Sequence, residues 1–389
     1  MKGSVAISLA ALSASVSASP TSHWNKVRAN GTNPFEGYAI IPDSYYVKEI
    51  TEQAIPELSE ELAAAAKKVT EVGTFYWMDT ADKVPGIGEH LAEVQEKNAA
   101  GADPPYQGAF VVYDLPDRDC AAAASNGEYS IEDGGVAKYK TYIDNIRKEL
   151  EAYPDESVVL VIEPDSMANL ITNLSVEKCA NAEAAYRECT NYALKNLDLP
   201  NVSMYLDAGH SGWLGWPANI KPAAEMYGEL YKTAGSPASV RGLALNVANY
   251  NAWTLESPPD YVETNPNYDE KKFVAAFGPL LEEAGFSAHF IVDTGRNGVQ
   301  PTAQIEQGDW CNVIDTGFGV RPTSDTGDAL VDAFVWVKPG GESDGTSDET
   351  AERYDLHCGL EDSLKPAPEA GQWFQAYFEQ LLTNANPPF

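Results

Sequence analysis

Glu163-Pro164-Asp165 sets two carboxyl groups on either side of a proline, directly after the apolar run Val158–Ile162. A second acid-rich stretch, Tyr113-Asp-Leu-Pro-Asp117-Arg118-Asp119-Cys120, follows the apolar run Ala109–Val112. Carboxyl groups brought close together cannot all ionise cheaply, so one keeps its proton near neutral pH. That makes Asp165 a candidate general acid, with Asp119 the partner that keeps it protonated. Pro164 cannot donate to a sheet ladder, so it ends the strand and separates the two acids. Glu163, still at the strand end, is expected to be structural; Asp165, beyond the proline, is expected to carry the proton. A structural Asp/Arg salt-bridge network is the competing explanation for these residues.

The elements that must position these groups are short β-branched runs alternating with amphipathic segments, the pattern of an α/β protein with a buried parallel sheet. Seven runs are strand-like: Phe75–Met78, Ala109–Val112, Val158–Ile162, Val202–Leu206, Gly242–Leu245, His289–Val292 and Ala333–Val337. Helices are expected over Leu58–Val69, Tyr139–Tyr153, Asn181–Leu199, Pro222–Thr233, Glu270–Glu283 and Gln372–Leu382. A polar residue follows every run: Asp79, Asp114, Glu163, Asp207, Asn246, Asp293 and Lys338. In a parallel barrel these form one ring at the mouth. An Asp after a strand is also a common turn or cap residue.

Aromatic residues gather near the same strand ends: Trp77, Tyr113, Trp213, Trp216, Trp253 and Trp310. Trp213 and Trp216 lie in the glycine-rich His210-Ser-Gly-Trp-Leu-Gly-Trp216, a poor place for core packing. Flat aromatic faces with polar rims suit the C–H faces of pyranose rings. No Walker loop, strand-following GxGxxG, GxSxG or HExxH occurs, and the 5 histidines lack metal spacing. No metal or cofactor is expected.

Composition narrows the class further. The 389 residues carry 58 acidic and 26 basic side chains, a formal charge of -32. Such a field disfavours nucleic acid and anionic membranes as partners and leaves a neutral substrate unaffected. Met1–Ala18 reads as a secretory leader, with Lys2, an apolar centre and Val16-Ser-Ala18. Residues 19–32 read as a polar arm, and 33–389 as a single domain. Sequons occur at Asn30, Asn173 and Asn201, of which Asn30 is the first choice for use. Of the 5 cysteines, Cys189 falls on the apolar face of a helix and is expected to stay free. Cys120 with Cys179 and Cys311 with Cys358 is the expected pairing, although sequence does not fix it.

The stretches YDLPDRDC (113–120), VIEPDSMAN (161–169), YLDAGHSGWLGW (205–216), NVANYN (246–251), DWC (309–311) and WVKPGGESDG (336–345), in this order, resemble glycoside hydrolase family 6, notably its fungal cellobiohydrolases. The likeness runs from about Asn33 to the end of the chain. It implies a distorted seven-stranded parallel β/α barrel, TIM-like, whose loops roof an active-site tunnel. It also implies inverting hydrolysis of β-1,4-glucan, with cellulose and cello-oligosaccharides as partners of a monomeric enzyme. Residue by residue, it implies Asp165 as general acid, Asp119 as its carboxylate partner and Asp344 as the debated base candidate, held among Arg296 and Lys338. Tyr113 is implied to help distort the sugar, and Ser125 to hold a water. Trp77, Trp213, Trp216 and Trp310 are implied sugar platforms, with Asp79, Asp207, His210, Asn249, Arg296, Lys338 and Glu342 as further substrate contacts. Two departures stand out. Ser343 replaces a cysteine of the fungal pattern, which leaves fewer oxidisable thiols. No cellulose-binding module or linker accompanies the domain, which predicts a weaker grip on crystalline cellulose. The long segment 340–357 is expected to roof the cleft, so that the enzyme releases cellobiose from non-reducing ends; endoglucanase action on the same fold is the alternative.

Overall fold

The computed structural model describes Met1, residues 32–262 and residues 264–389. The expected leader and the Asn30 sequon fall outside the described residues. Eight strands form one sheet: β1 (Ala39–Ile40), β2 (Tyr76–Met78), β3 (Tyr106–Val112), β4 (Val158–Ile162), β5 (Val202–Asp207), β6 (Val240–Leu245), β7 (His289–Asp293) and β8 (Val331–Val335). All pair in parallel, β2 through β8 in chain order, while β1 adds to the start of β3. The helices are α1 (Ser44–Glu49), α2 (Glu60–Val69), α3 (Gly86–Ala99), α4 (Gly135–Glu151), α5 (Met167–Thr172), α6 (Glu177–Asn196), α7 (Ile220–Thr233), α8 (Glu270–Glu283) and α9 (Gln375–Thr383).

The period of two along each strand divides the core in two layers. Val159 and Val161 of β4 point inward with Ala109, Val111, Tyr205, Ala244 and Ile291. Val158, Leu160 and Ile162 point outward and pack under the helices with Phe110, Met204 and Tyr186. Both faces are therefore dry, which explains why β4 reads as an unbroken apolar run rather than an alternating one. The ladder does not pair β8 with β2. Two side-chain bonds bridge that seam: Asn33 Nδ2 donates to the Asp332 carbonyl at 2.7 Å, and Trp77 Nε1 donates to the Val337 carbonyl at 2.8 Å. A third core, with Tyr46, Ile50, Val69, Phe318, Trp336, Phe378 and Leu381, brings the first and last helices of the domain together.

The expected seven-stranded distorted barrel is present, with three differences of detail. Strand β8 ends at Val335, where its ladder with Asp293 stops. The apolar run continues only because Trp336 turns into the third core and bonds the Val320 carbonyl at 2.9 Å. Helix α3, which is not among the expected helices, begins at Gly86 with Pro85 as its N-cap. Gly86 is required there because a Cβ would lie 2.5 Å from the Tyr76 hydroxyl. Strand β1 is too short to show any periodicity. Both expected disulfides form, Cys120–Cys179 and Cys311–Cys358, and Cys189 is free and buried in α6. The two described sequons differ: Asn201 donates to the Tyr153 and Glu156 carbonyls, whereas Asn173 donates to Asn169 Oδ1.

Candidate active site

Because every strand is parallel, all the strand-end polar residues lie at one end of the barrel, as expected. Five of them are buried; Asp114 accepts from Arg118 Nη1 at 3.3 Å, and the other four spend their polar atoms on the loops. Glu163 accepts the amides of Asp114 and Leu115 and the Tyr139 hydroxyl. Asp207 accepts the amides of Asp165 and Gly209 at 3.1 Å each. Asp293 accepts those of Ala248, Gly295 and Lys338. Asn246 accepts from the Asn251 amide and donates to the Asp293 carbonyl. The groups with chemistry stand one step further out.

Asp165 sits beyond Pro164 with φ +59°, a strained conformation for a residue with a Cβ. Its backbone is held at both ends: its amide donates to Asp207, and Asn169 Nδ2 donates to its carbonyl. Burial pushes its carboxyl well above the ordinary carboxylate range, and the negative charges of Asp207, Asp119 and Asp344 add to this. The shift is in the direction a general acid needs, towards keeping its proton.

Asp119 also has a positive φ, +57°, and its Oδ2 accepts the Ser125 amide at 2.7 Å. Burial raises its pKa, opposed by the Ser125 amide, Lys178 and Arg118. Arg118 organises the loop: it donates to the carbonyls of Tyr113, Asp79 and Ser125, and its guanidinium lies 4.3 Å from the centre of the Tyr113 ring. Tyr113 in turn meets Trp77 edge-on at 5.4 Å. Asp119, Ser125, Tyr113 and Trp77 are thus one connected wall.

Asp344 is bound on several sides. Arg296 Nη1 lies 2.8 Å from both its oxygens, and Oδ2 also accepts the Tyr250 hydroxyl at 2.8 Å and the Asn312 amide at 2.9 Å. Among the described residues, Oδ1 has Arg296 alone. Lys338, expected beside Asp344, donates to the carbonyl of the preceding Ser343 at 3.5 Å and lies 3.7 Å from Glu342. Two expected substrate contacts take other work. Arg296 is 1% exposed and Asp207 2% exposed, so each positions a carboxyl group and has no face left for a sugar. Tyr250 and Asn312, which hold Asp344, carried no signal beyond their place within or beside the quoted motifs.

The remaining residues line the mouth half-buried. Trp213 Nε1 donates to Thr172 at 2.8 Å, and Trp216 Nε1 to the Gly212 carbonyl at 2.9 Å. Each ring is fixed by its nitrogen, as a platform requires. Trp310 lies 5.5 Å from the His357 ring. His210 hydrogen-bonds Asn251 at 2.9 Å, and burial lowers its pKa to about 4, so it is a neutral polar contact. Asn249 accepts the Tyr250 amide at 2.7 Å, while Asp79 is paired with Lys83 at 2.7 Å. Trp253 packs on Phe334 at 5.3 Å and belongs to the core.

The loops after β3 and β8 touch above this ring. Arg353 donates to the Ala124 carbonyl at 2.9 Å, and Asp355 Oδ2 accepts the Ala123 amide at 3.1 Å. Each of these loops is tied by a disulfide, at Cys120 and at Cys358.

A carboxyl cluster at the mouth of a parallel barrel, flanked by anchored tryptophans under joined loops, defines a hydrolase working by acid catalysis on a carbohydrate. The chain belongs to the glycosyl hydrolases of family 6, whose profile matches residues 35–385. It is 66% identical over 360 residues to a probable 1,4-beta-D-glucan cellobiohydrolase C of Aspergillus niger, covering 92% of this chain and 78% of that one. It is 63% identical over 360 residues to the 1,4-beta-D-glucan cellobiohydrolase C of Emericella nidulans, with 92% and 79% covered. Among solved structures, the catalytic core of the cellobiohydrolase Cel6A from Chaetomium thermophilum superposes with a TM-score of 0.91 at 64% identity, covering 92% of this chain and 100% of that one. Cellobiohydrolase II of Humicola insolens, solved in complex with glucose and cellotetraose, gives 0.91 at 61% identity over 92% and 100%.

Ser343 stands between Glu342 and Asp344 and is fully bonded. Its hydroxyl donates to the Pro368 carbonyl at 2.9 Å and accepts the Gly345 amide at 3.2 Å. A thiol is a weaker donor and acceptor, so Ser343→Cys should lower stability by about 1–2 kcal/mol, read as a lower midpoint in denaturant. An unchanged or higher midpoint would contradict this account.

Burial, the leading cause in each case, raises Asp114 to about 9, Glu49 to about 8, Glu163, Glu270 and Glu342 to about 7, and Asp293 to about 6. Unfolded carboxyls titrate near about 4. A group raised on folding supports the fold fully below its unfolded pKa, and that support is lost as pH rises to the folded pKa. Thermal stability should therefore be greatest near about pH 4–5 and fall steadily into alkali. Calorimetry across this range checks it; a Tm that is flat or rising above neutrality would sink the idea.

Proposed function

We propose that this chain is a secreted, inverting β-1,4-glucan hydrolase that releases cellobiose from the non-reducing ends of cellulose. Its site acts on cellulose and cello-oligosaccharides with side chains alone, as a monomer. Secretion rests on the leader-like residues 1–18 and on the two disulfides, which persist in oxidising compartments. Among the described residues, no helix is long and apolar enough to cross a membrane. The observation that carries the reading is the buried Asp165 carboxyl, raised by its burial and by Asp207, Asp119 and Asp344, at the barrel end where the loops after β3 and β8 join.

Inversion needs an acid on the leaving oxygen and a water activated on the opposite face of the sugar. Asp165 gives its proton to the glycosidic oxygen. Asp119, as a carboxylate, steadies the positive charge developing on the ring and keeps Asp165 protonated beforehand. Tyr113, backed by Arg118 and Trp77, presses on the sugar whose bond breaks. Asp344 has little freedom to take a proton directly, since its Oδ2 is fully engaged. The attacking water bonds its oxygen to the anomeric carbon as the leaving oxygen departs with the Asp165 proton, and its own proton passes, through water held near Ser125, to Asp344 Oδ1, the less occupied oxygen. Trp77, Trp213, Trp216 and Trp310 carry successive sugars. Lys338, Glu342, Asp79, His210 and Asn249 meet their hydroxyls.

Asp165→Asn removes the proton and keeps the shape. We expect hydrolysis of cellulose to fall by about 10²–10⁴-fold with oligosaccharide binding retained. Activity within about tenfold of wild type would remove Asp165 from its role. The joined loops favour exo action over the endoglucanase alternative. On soluble carboxymethylcellulose, viscosity should fall slowly relative to sugar released; a rapid early drop would establish internal cutting.

A further inference from the structure

Lys178 occupies the second position of α6 (Glu177–Asn196). A cation is unwelcome there, because the first turn of a helix already carries partial positive charge. Propensity does not place it, so its contacts must. Its ammonium donates to the Arg118 carbonyl at 2.9 Å, the Asp119 carbonyl at 3.1 Å and Asn126 Oδ1 at 2.5 Å. Next to it Cys179 is bonded to Cys120, and two turns on Tyr186 donates its hydroxyl to the Asp117 carbonyl at 2.9 Å. One end of α6 therefore cradles the turn 117–120, where Asp117 and Asp119 both have positive φ, 55° and 57°. The disulfide and Tyr186 already anchor the two ends of that turn without charge. Lys178 adds a charge at its centre.

We propose that Lys178 is a positioning residue for the hydrolysis: clamped on the carbonyls of Arg118 and Asp119, its ammonium holds the Asp119 carboxylate ionised and in place beside Asp165. Asp119 is faced by Lys178, Arg118 and the Ser125 amide, which favour its charge. Asp355, Asp165, Tyr113 and Tyr186 face it from the other elements and oppose its ionisation or are raised by it. Burial lowers the pKa of the Lys178 ammonium itself, Arg118 adds to that, and the charges of Asp119 and Asp117 oppose it. Burial pushes the Asp119 carboxyl towards its neutral form, and of the two cations that oppose this, Arg118 is committed to the Tyr113, Asp79 and Ser125 carbonyls. Without Lys178, Asp119 takes up a proton at higher pH. It then neither stabilises the developing ring charge nor holds the Asp165 proton.

This rests on the role given to Asp119 above. The test is the pH dependence of kcat/KM on a soluble cello-oligosaccharide for wild type, Lys178→Met, Lys178→Gln and Lys178→Arg. The Met and Gln variants should move the acid-side midpoint up by about one pH unit. Their kcat should fall while KM changes little, and Lys178→Arg should recover most of the loss. Lys178→Gln keeps a donor for the carbonyls, so it reads the charge even where the Met variant folds poorly. An acid-side midpoint that stays put in the Gln variant, or an Arg variant no better than Gln, overturns the proposal. A wild-type protein with no activity would instead overturn the proposed function.

Discussion

The barrel mouth depends on one constraint: a buried acid or amide at a strand end must find donors, and the nearest are backbone amides of the loops. Glu163 at the end of β4 binds amides of the loop after β3. Asp207 at the end of β5 binds one in the loop after β4. Asp293 at the end of β7 binds amides after β6 and after β8. Each bond ties one loop to the neighbouring strand, so the loops are laced around the ring. Leaving any of these groups unpaired would cost roughly 1–3 kcal/mol, which favours the lacing.

The lacing also explains the electrostatics. Carboxyls that must be buried to hold loops have raised pKa values, and they surround the residues that do chemistry. Asp165 is raised by its own burial and again by Asp207, the group that fixes its amide. One contact therefore fixes the Asp165 backbone and adds to the rise that burial gives its carboxyl. The positive φ angles of Asp117, Asp119, Glu163, Asp165, Asn246 and Ala248 cluster along this ring. Such conformations cost on the order of 1–2 kcal/mol each and persist where surrounding bonds over-determine them.

Much of this was legible in sequence, for a physical reason. The strand runs, the polar residue after each, and the separation of Glu163 from Asp165 by Pro164 are all local features. Local chemistry cannot show which distant group a side chain will meet. Asp207 reaches Asp165 across 42 positions, Lys178 reaches Asp119 across 59, and Tyr250 reaches Asp344 across 94. Hence Asp207 and Arg296 read as sugar contacts until their burial is known. Glu163, expected to be structural, serves as an anchor, and Asn246 and Asp293 do the same, which their place after a strand could not show. Strand β8 was misplaced by two residues because a hydrophobic run records burial, and Trp336 is buried in a different core from the strand.

The same economy of contacts joins the roof to the chemistry. From Ala123 to Ser125, three consecutive residues are held by three different partners. The Ala123 amide goes to Asp355, the Ala124 carbonyl takes Arg353, and the Ser125 amide goes to Asp119. The first two partners belong to the loop after β8, and the third is the carboxylate that faces Asp165. Gly345 packs into the same place, where a Cβ would come within 2.9 Å of Ala124 Cβ. The segment is too short to give on one side without moving on the other, since neighbouring Cα atoms are fixed at about 3.8 Å. The contacts that join the two loops and the contact that holds the Asp119 carboxyl are therefore set by one short segment.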